Sequence, residues 1–136
     1  MVNSRLAVAI HILSLIAQNP HEQMTSDYIA ASVNTNPVVI RRIIGMLKKA
    51  GLLKTHPGAA GTFLAKDPSD ISLLDVYRAV QTKDELFAIH EQPNPNCPVG
   101  KNIQSTLNET FHDVQKAMEN ELAGKSIKDI LDHLFI

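Results

Sequence analysis

The segment from Thr35 to Phe63 constrains the fold more than any other stretch of the sequence. It begins with Asn36-Pro37, a helix-starting pair, because the asparagine side chain can accept a backbone hydrogen bond and proline suits the first helical position. Apolar residues then recur at helical spacing, and Ala50-Gly51 is typical of a helix end. The basic residues occupy other positions of the same helix: Arg41, Arg42, Lys48 and Lys49. The pattern predicts a helix with one face in a core and another face that is cationic.

Two short strands around a flexible tip are predicted to follow this helix. Leu52 to Thr55 and Thr62 to Leu64 have the composition of strands, and the segment between them, His56 to Gly61, is rich in turn residues. Upstream, a short helix from Asp27 to Ser32 is predicted, and Val33-Asn34-Thr35 is the turn between the two helices. Two short helices joined by a tight turn and followed by a hairpin are the elements of a winged helix-turn-helix.

Further helices are predicted on either side of this segment. The first is expected to be capped by Asn3 or Ser4, and another packing helix is expected to start at Ser72. Ser126-Ile127-Lys128-Asp129 resembles a capping box and predicts the start of the last helix. Between these two helices, Thr82 to Phe87 is predicted to add a short turn.

A long amphipathic helix is predicted to begin at Pro98 and to end at Gly124. Its apolar residues repeat every three or four positions: Val99, Ile103, Leu107, Phe111, Val114, Met118 and Leu122. The small core beside it cannot cover so long a stripe, so we expect a homodimer in which a second copy of the chain does so. The sequence thus predicts a mainly α fold with a small β wing: a winged helix-turn-helix at residues 1–66 and a helical dimerisation and regulatory region at residues 67–136.

Composition excludes several classes of protein. At 136 residues, 44% of them hydrophobic, the chain is long enough for a real core. No apolar run approaches the roughly 20 residues that cross a bilayer, and the N-terminus lacks a signal-peptide pattern, so we expect a cytoplasmic protein with no membrane partner. One cysteine cannot form an internal disulfide. No phosphate loop or His-x-x-x-His pair is present, so we do not expect an enzyme.

Charge is distributed unevenly along the chain. Residues 1–66 contain seven lysines and arginines against two acidic residues, whereas residues 67–136 contain six against twelve, so the formal charges are +5 and −6. A basic module attached to an acidic, solvated one is typical of a DNA-facing domain joined to an assembly domain. The charge distribution therefore supports double-stranded DNA as the partner of the N-terminal half.

Several motifs, in this order along nearly the whole chain, resemble the Rrf-type family of bacterial transcription regulators. They are Arg5-Leu-Ala-Val-Ala, Asn36-Pro-Val-Val-Ile-Arg-Arg-Ile-Ile, Leu47 with Ala50-Gly51-Leu52-Leu53, the glycines Gly58 and Gly61, and Ile71-Ser-Leu-Leu-Asp-Val-Tyr-Arg-Ala-Val. The resemblance implies a homodimer that represses or activates operons for cysteine metabolism, iron–sulfur cluster assembly or nitric oxide response. We expect a sequence-specific regulator, acting as a repressor on a palindromic operator and answering to an unknown small-molecule or protein effector.

The predicted recognition helix supplies the base-reading candidates. Thr35, Asn36 and Val38 lie at its N-terminal turn, where side chains meet base edges in the major groove. Arg41 and Arg42 follow one turn later, and each can reach a guanine or a phosphate or remain a solvated surface residue. Base reading is thus assigned to the start of this helix.

Other candidates would contact the DNA backbone. Thr25 and Ser26 start the preceding helix and can bind phosphate or serve only as caps. Arg5 is assigned to the same basic surface. In the wing, Lys54 and His56 are the polar candidates for minor-groove or backbone contact.

The wing departs from the family pattern at two places. Pro57 precedes Gly58 where the family usually has an arginine, and Gly61-Thr62 stands where it usually has a glycine pair. Minor-groove reading by a wing arginine is therefore not expected here.

Cys97 is ambiguous because it stands directly before Pro98, where a helix N-terminus favours a thiolate. The family resemblance implies that sensing members bind an iron–sulfur cluster through three cysteines in this region. Cys97 matches the second of these, but Ile103 replaces the third and no first cysteine exists. We therefore predict no cofactor and no metal, since one thiol cannot supply the usual four ligands. A redox-reactive thiol and an inert cysteine both stay open.

His11 lies in an apolar segment with no carboxylate or cysteine at ligand spacing, so we interpret it as a packed neutral histidine rather than a ligand. Winged helices also serve as protein-binding modules, so the alternative function is an interaction module whose basic face binds an acidic protein.

Overall fold

A computed structural model describes residues 4–58, 60–81 and 91–136. This part of the chain contains six α-helices and one two-stranded antiparallel sheet. The elements are α1 (Arg5–Gln18), α2 (Ser26–Val33), α3 (Pro37–Lys49), β1 (Leu53–Lys54), β2 (Phe63–Leu64), a 3-10 turn (Pro68–Asp70), α4 (Leu73–Val80), α5 (Pro98–Ala123) and α6 (Ile127–Leu134). The predicted mainly α fold with a small β wing is confirmed. The turn predicted at Thr82 to Phe87 lies outside the described residues.

The helix-turn-helix is held by local hydrogen bonds that the sequence signals indicate. The Thr25 side chain accepts a hydrogen bond from the backbone N–H of Tyr28 at the start of α2. Asn34 ends this helix with a left-handed backbone (φ 64°), a conformation that asparagine tolerates better than most residues. Asn36 then caps α3 by accepting from the N–H of Val38 at 2.8 Å. These contacts fix the chain reversal between α2 and α3.

The cap predicted for the first helix is not formed by Ser4. Its side chain makes no capping hydrogen bond, and its backbone is α-like (φ −83°, ψ −1°). Side-chain capping normally requires an extended backbone at this position, so the serine hydroxyl does not reach the orphan N–H groups. Asn3, the other candidate, lies outside the described residues.

The core is centred on α1, which packs against α2, α3, α4, α6 and β2. Fully buried aliphatic side chains of α1 and α3 meet there, including Ile12, Leu13, Ile40 and Leu47. Each such side chain contributes roughly 1.5–3 kcal/mol of burial free energy. Residues beyond position 66 belong to the same cluster, among them Ile71, Val76 and Ile127. The division of the chain after residue 66 therefore stays a functional prediction, because one core serves both parts.

A short antiparallel bridge between Ser72 and Ser126 joins the starts of α4 and α6. The backbone N–H of Leu73 donates to the carbonyl of Lys125 at 2.8 Å, and that of Ile127 donates to the carbonyl of Ile71 at 2.9 Å. Both helices start with a capping box in which aspartate, Asp75 or Asp129, stands at the third position. The capping box predicted at Ser126 is thus confirmed.

The 26-residue helix α5 has no buried residue. It is about 39 Å long, and it packs against α4 near an ion pair between Arg78 and Glu119 with N and O 3.6 Å apart. Two of its apolar side chains are strongly exposed, Val99 by 66% and Val114 by 46%. Within the described residues, no helix combines the length and apolarity needed to cross a membrane.

Candidate nucleic-acid interface

Helix α3 separates a buried face from an exposed one. Ile40, Ile43, Ile44 and Leu47 are buried in the core. Arg41 and Arg42 are exposed on the other side, and Val38 in the first turn is 52% exposed. The predicted base-reading residues therefore share the solvent side of the helix start, with Thr35 half-buried in the turn before it. This arrangement is suited to insertion of the first turns of α3 into a major groove.

Asn36 has a capping role that limits how it can read a base. Its Oδ1 atom accepts the hydrogen bond from Val38 N–H at 2.8 Å. A bidentate contact to adenine uses both the oxygen and the NH2 group of an asparagine. The adenine contact would therefore have to share Oδ1, which has a second lone pair, while the NH2 group donates to the base.

The start of α2 presents a second set of polar groups. Thr25 caps the helix and is exposed, and Ser26 is its first helical residue. Tyr28, one turn further on, is 55% exposed although it is aromatic, and it is not among the residues predicted from the sequence. The sequence signal for its exposure is its position beside the inward residues Ile29 and Ala30, which places Tyr28 on the outer side of α2.

In the wing, the polar candidates Lys54 and His56 lie at the base of the hairpin. Leu53 pairs with Leu64 and Lys54 with Phe63. The ring of His56 packs on that of Phe63, with centroids 4.5 Å apart. Lys54 and His56 also border a surface groove of about 450 Å³ together with Lys66. The wing base therefore brings Lys54, His56 and Lys66 together, whereas Arg5 begins α1 and is half-buried.

Gly61 docks the wing on the segment before α2, and we expect Gly61→Ala to be destabilising. Its φ is +90°, and an added Cβ would lie 3.0 Å from the backbone N of Met24, whose residue pairs with Thr62. The strain should lower the free energy of unfolding by about 2–3 kcal/mol. Gly58→Ala is the matched control, because Gly58 has φ +77° with open space around it and should cost only about 1 kcal/mol. Urea unfolding measures both, and equal losses would contradict the close approach at Gly61.

Cys97 is exposed and occupies the N-cap position of α5. Backbone N–H groups of Gly100 and, to a smaller extent, Val99 hold the pKa of the Cys97 thiol below its usual range. Among the residues that the structure describes, no three His, Cys, Asp or Glu side chains converge as metal ligands would. The sulfur is thus placed for thiolate chemistry at the protein surface.

Alkylation of Cys97 by iodoacetamide should therefore be half-maximal at a lower pH in the native protein than in the same protein unfolded in urea. The thiolate is the nucleophile, and unfolding removes the N–H groups that stabilise it. Rates measured across pH by mass spectrometry give both midpoints. Identical midpoints in the two states would show that the helix N-terminus does not lower this pKa.

The chain is similar to known regulators in sequence and in structure. The Rrf2 family model, described as an iron-dependent transcriptional regulator, matches residues 2–133. Identity is 65% over 135 residues to the "Putative HTH-type transcriptional regulator YwnA" of Bacillus subtilis (strain 168), covering 99% of this chain and 100% of that protein. A crystal structure of "a putative DNA binding protein" has a TM-score of 0.79 at 59% identity, covering 94% of this chain and 99% of the other. T. potens IscR shares the fold, with a TM-score of 0.74 at 21% identity over 98% of this chain and 88% of its own.

Proposed function

Because the chain belongs to the Rrf2 family of transcriptional regulators, a non-enzymatic class, we propose that it binds a palindromic DNA operator as a homodimer and represses transcription there. The observation that carries the proposal is the start of α3, where Val38, Arg41 and Arg42 are exposed above a fully buried face. An exposed, cationic helix start on a rigid support is what insertion into a major groove requires.

Each part of the winged helix would have its own role on DNA. The first two turns of α3 read base edges, and the N-terminus of α2, with Thr25 and Ser26, binds a phosphate through N–H and hydroxyl groups. Lys54 and His56 at the wing base contact the backbone beside the groove. Since the phosphate contacts are electrostatic, the affinity should fall steeply as salt rises.

The homodimer is supported by the apolar stripe of α5, in which Val99 and Val114 are exposed and the other five residues are half-buried. None of its seven stripe residues is buried, although together they span most of a 26-residue helix. Pairing with a second copy would remove this surface from water and relate two α3 helices by a two-fold axis. The half-sites of the operator would then lie about 34–36 Å apart or at a multiple of that distance. Residues 1–66 would thus bind DNA, residues 67–136 would hold the dimer together, and the cytoplasm, where the bacterial chromosome lies, is the expected location.

The family description is that of an iron-dependent regulator, but the residues of this chain do not fit an iron–sulfur cluster. A cluster usually takes four protein ligands, and this chain has a single cysteine, exposed at the start of α5. The residue that would be the next ligand of the motif is Ile103, an aliphatic side chain with no donor atom. The proposed DNA binding and repression therefore involve no iron–sulfur cluster.

Selection from a random duplex pool tests the proposed function. We expect the protein to enrich a palindrome and to bind it about 10³-fold or more tightly than a scrambled duplex of the same length and composition. Retention of both duplexes alike at every salt concentration would reject operator binding, and the basic face would then serve as a surface for an acidic protein. A reporter gene fused to the selected operator distinguishes repression from activation. If the protein is a repressor, its deletion should raise expression of the reporter.

A further inference from the structure

Helix α4 lies between the winged helix and the long helix α5. Its buried side chains, Leu73, Val76 and Val80, belong to the same core cluster as Leu47 of α3. Among the described elements, α4 is also the one against which α5 chiefly packs. A change in the angle between α4 and α5 would therefore move the recognition helix relative to α5.

Two contacts along α4 attach it to α5 and to the turn that follows α5. The first is the antiparallel bridge between Ser72 and Ser126, two residues beyond Gly124, where α5 ends. The second is the ion pair of Arg78 Nη2 with Glu119 Oε1, 3.6 Å apart. Residues 72 and 78 are separated by about 9 Å along the helix axis. One attachment point fixes a position, whereas two points at this separation also fix an angle.

The carboxylate of Glu119 has a partner for each oxygen. Oε1 faces Arg78, and Oε2 accepts a hydrogen bond from Nε2 of Gln115, one turn earlier in α5, at 3.3 Å. The Glu119 side chain is only 24% exposed. Burial and, to a smaller extent, the nearby charge of Glu119 raise the pKa of the Tyr77 hydroxyl on α4. These contacts place the carboxylate at the junction of α4 and α5.

A directional contact matters at this junction because no residue of α5 is buried. In a close-packed core, interdigitated side chains fix how two helices cross. Side chains that remain partly exposed restrain the crossing angle less. The planar guanidinium of Arg78 has a preferred geometry toward a carboxylate, so its pairing with Glu119 supplies an orientation that apolar packing does not.

We propose that Arg78 and Glu119 are positioning residues, whose ion pair sets the angle between α5 and the winged helix and thereby the spacing of the half-sites that the dimer selects. In such a dimer each recognition helix would lie about 17 Å from the two-fold axis, half the separation of adjacent half-sites. A tilt of about 5° at this radius moves each helix by about 1.5 Å, so both together move by nearly one base-pair rise of about 3.4 Å. The effect on half-site spacing rests on the proposed function, whereas the angle itself does not depend on DNA.

The distance between the two α3 helices in the DNA-free dimer tests the angle. A spin label on Lys48→Cys, in a Cys97→Ser background, reports this distance by pulsed electron paramagnetic resonance. Arg78→Glu and Glu119→Arg each bring like charges together and should shift or broaden the distance distribution by about 3 Å. The double variant that exchanges the two charges should restore the original distribution. Glu119→Gln, which only removes the charge, should give a smaller change of the same kind.

Glu121→Arg is the matched control on the same helix. Glu121 carries the same charge as Glu119, but it is 79% exposed and pairs with Lys125 at the end of α5, with N and O 2.8 Å apart. Its reversal should leave the distance between the α3 helices unchanged. All of these variants should remain dimeric by light scattering and keep a nearly normal urea midpoint, because partly exposed ion pairs contribute little to stability. A reversal at Arg78 or Glu119 that dissociates the dimer would overturn the positioning role.

Operators with one base pair inserted or removed between the half-sites test the consequence for DNA. The wild type should prefer the selected spacing, and each single reversal should reduce this preference about threefold to tenfold, because both protomers lose the pair. The exchanged double variant should restore it. Unchanged distances in both single reversals, or a double variant that fails to restore them, would overturn the proposal. Distances that change as expected in a protein that selects no duplex would support the positioning role and reject the proposed function.

Discussion

Replacing Leu107 and Phe111 together with glutamate is expected to convert the protein from a dimer into a monomer at micromolar concentration. Both residues belong to the apolar stripe of α5, a helix with no residue buried within its own chain. A two-fold interface would bring four carboxylates into apolar surroundings without partners, and each such burial costs several kcal/mol. Light scattering coupled to size-exclusion chromatography measures the change.

The matched control for this variant is Asn108→Glu with His112→Glu. These positions have the same spacing and lie on the same helix one residue further on, where both side chains are exposed outside the stripe. The control should remain dimeric, and only the stripe variant should lose about 10² to 10⁴ in operator affinity, because two linked half-sites no longer bind together. A wild type that is monomeric, or a stripe variant that stays dimeric, would refute the α5 interface.

Replacing Arg41 and Arg42 together with alanine is expected to abolish selective binding to the operator. Each arginine that contacts a base should contribute about 1–3 kcal/mol per half-site, and the dimer presents both half-sites. The single variants should separate the two possible roles. Loss of a base contact should relax the preference at one base pair, whereas loss of a phosphate contact should weaken all sequences alike and lower the salt slope by about one. Lys54→Ala should follow the phosphate pattern.

Lys48→Ala with Lys49→Ala is the charge-matched control for the arginine pair. These lysines are exposed at the other end of α3, about 10 Å further along the helix axis. Removing them should weaken binding modestly and leave the preferred sequence unchanged. If the double arginine variant binds the selected operator as tightly as the wild type at about 150 mM salt, this face is not the DNA surface.

The family and the helix-turn-helix could be predicted because their signals are local. Asn36-Pro37 starts α3 through a hydrogen bond within three residues, and Ser126 forms its capping box with Asp129. Such contacts depend on neighbours in the chain, so a few residues suffice to identify them. The match of the Rrf2 model to residues 2–133 confirms the resemblance that the ordered motifs indicated.

Side-chain environments were harder to predict, because burial depends on which elements meet. His11 was interpreted as a packed histidine, but it is exposed and bonds to Ser32, 21 residues away. Tyr28 was not assigned to the surface that it shares with Thr25. In both cases helical periodicity predicts on which face of its own helix a side chain lies. It does not predict which residue of another element packs against that face.

The sequence by itself determined the order of the elements, their caps, the apolar face of α3 and the stripe of α5, since all of these follow from spacing along one chain. Only the tertiary structure decided that α6 returns to α1, through the backbone pairing of Ile71 with Ile127, and so forms a surface groove lined in part by Ser14. Ser14 looks like an ordinary helical serine in the sequence. It is only 6% exposed because segments that are distant in the sequence pack around it.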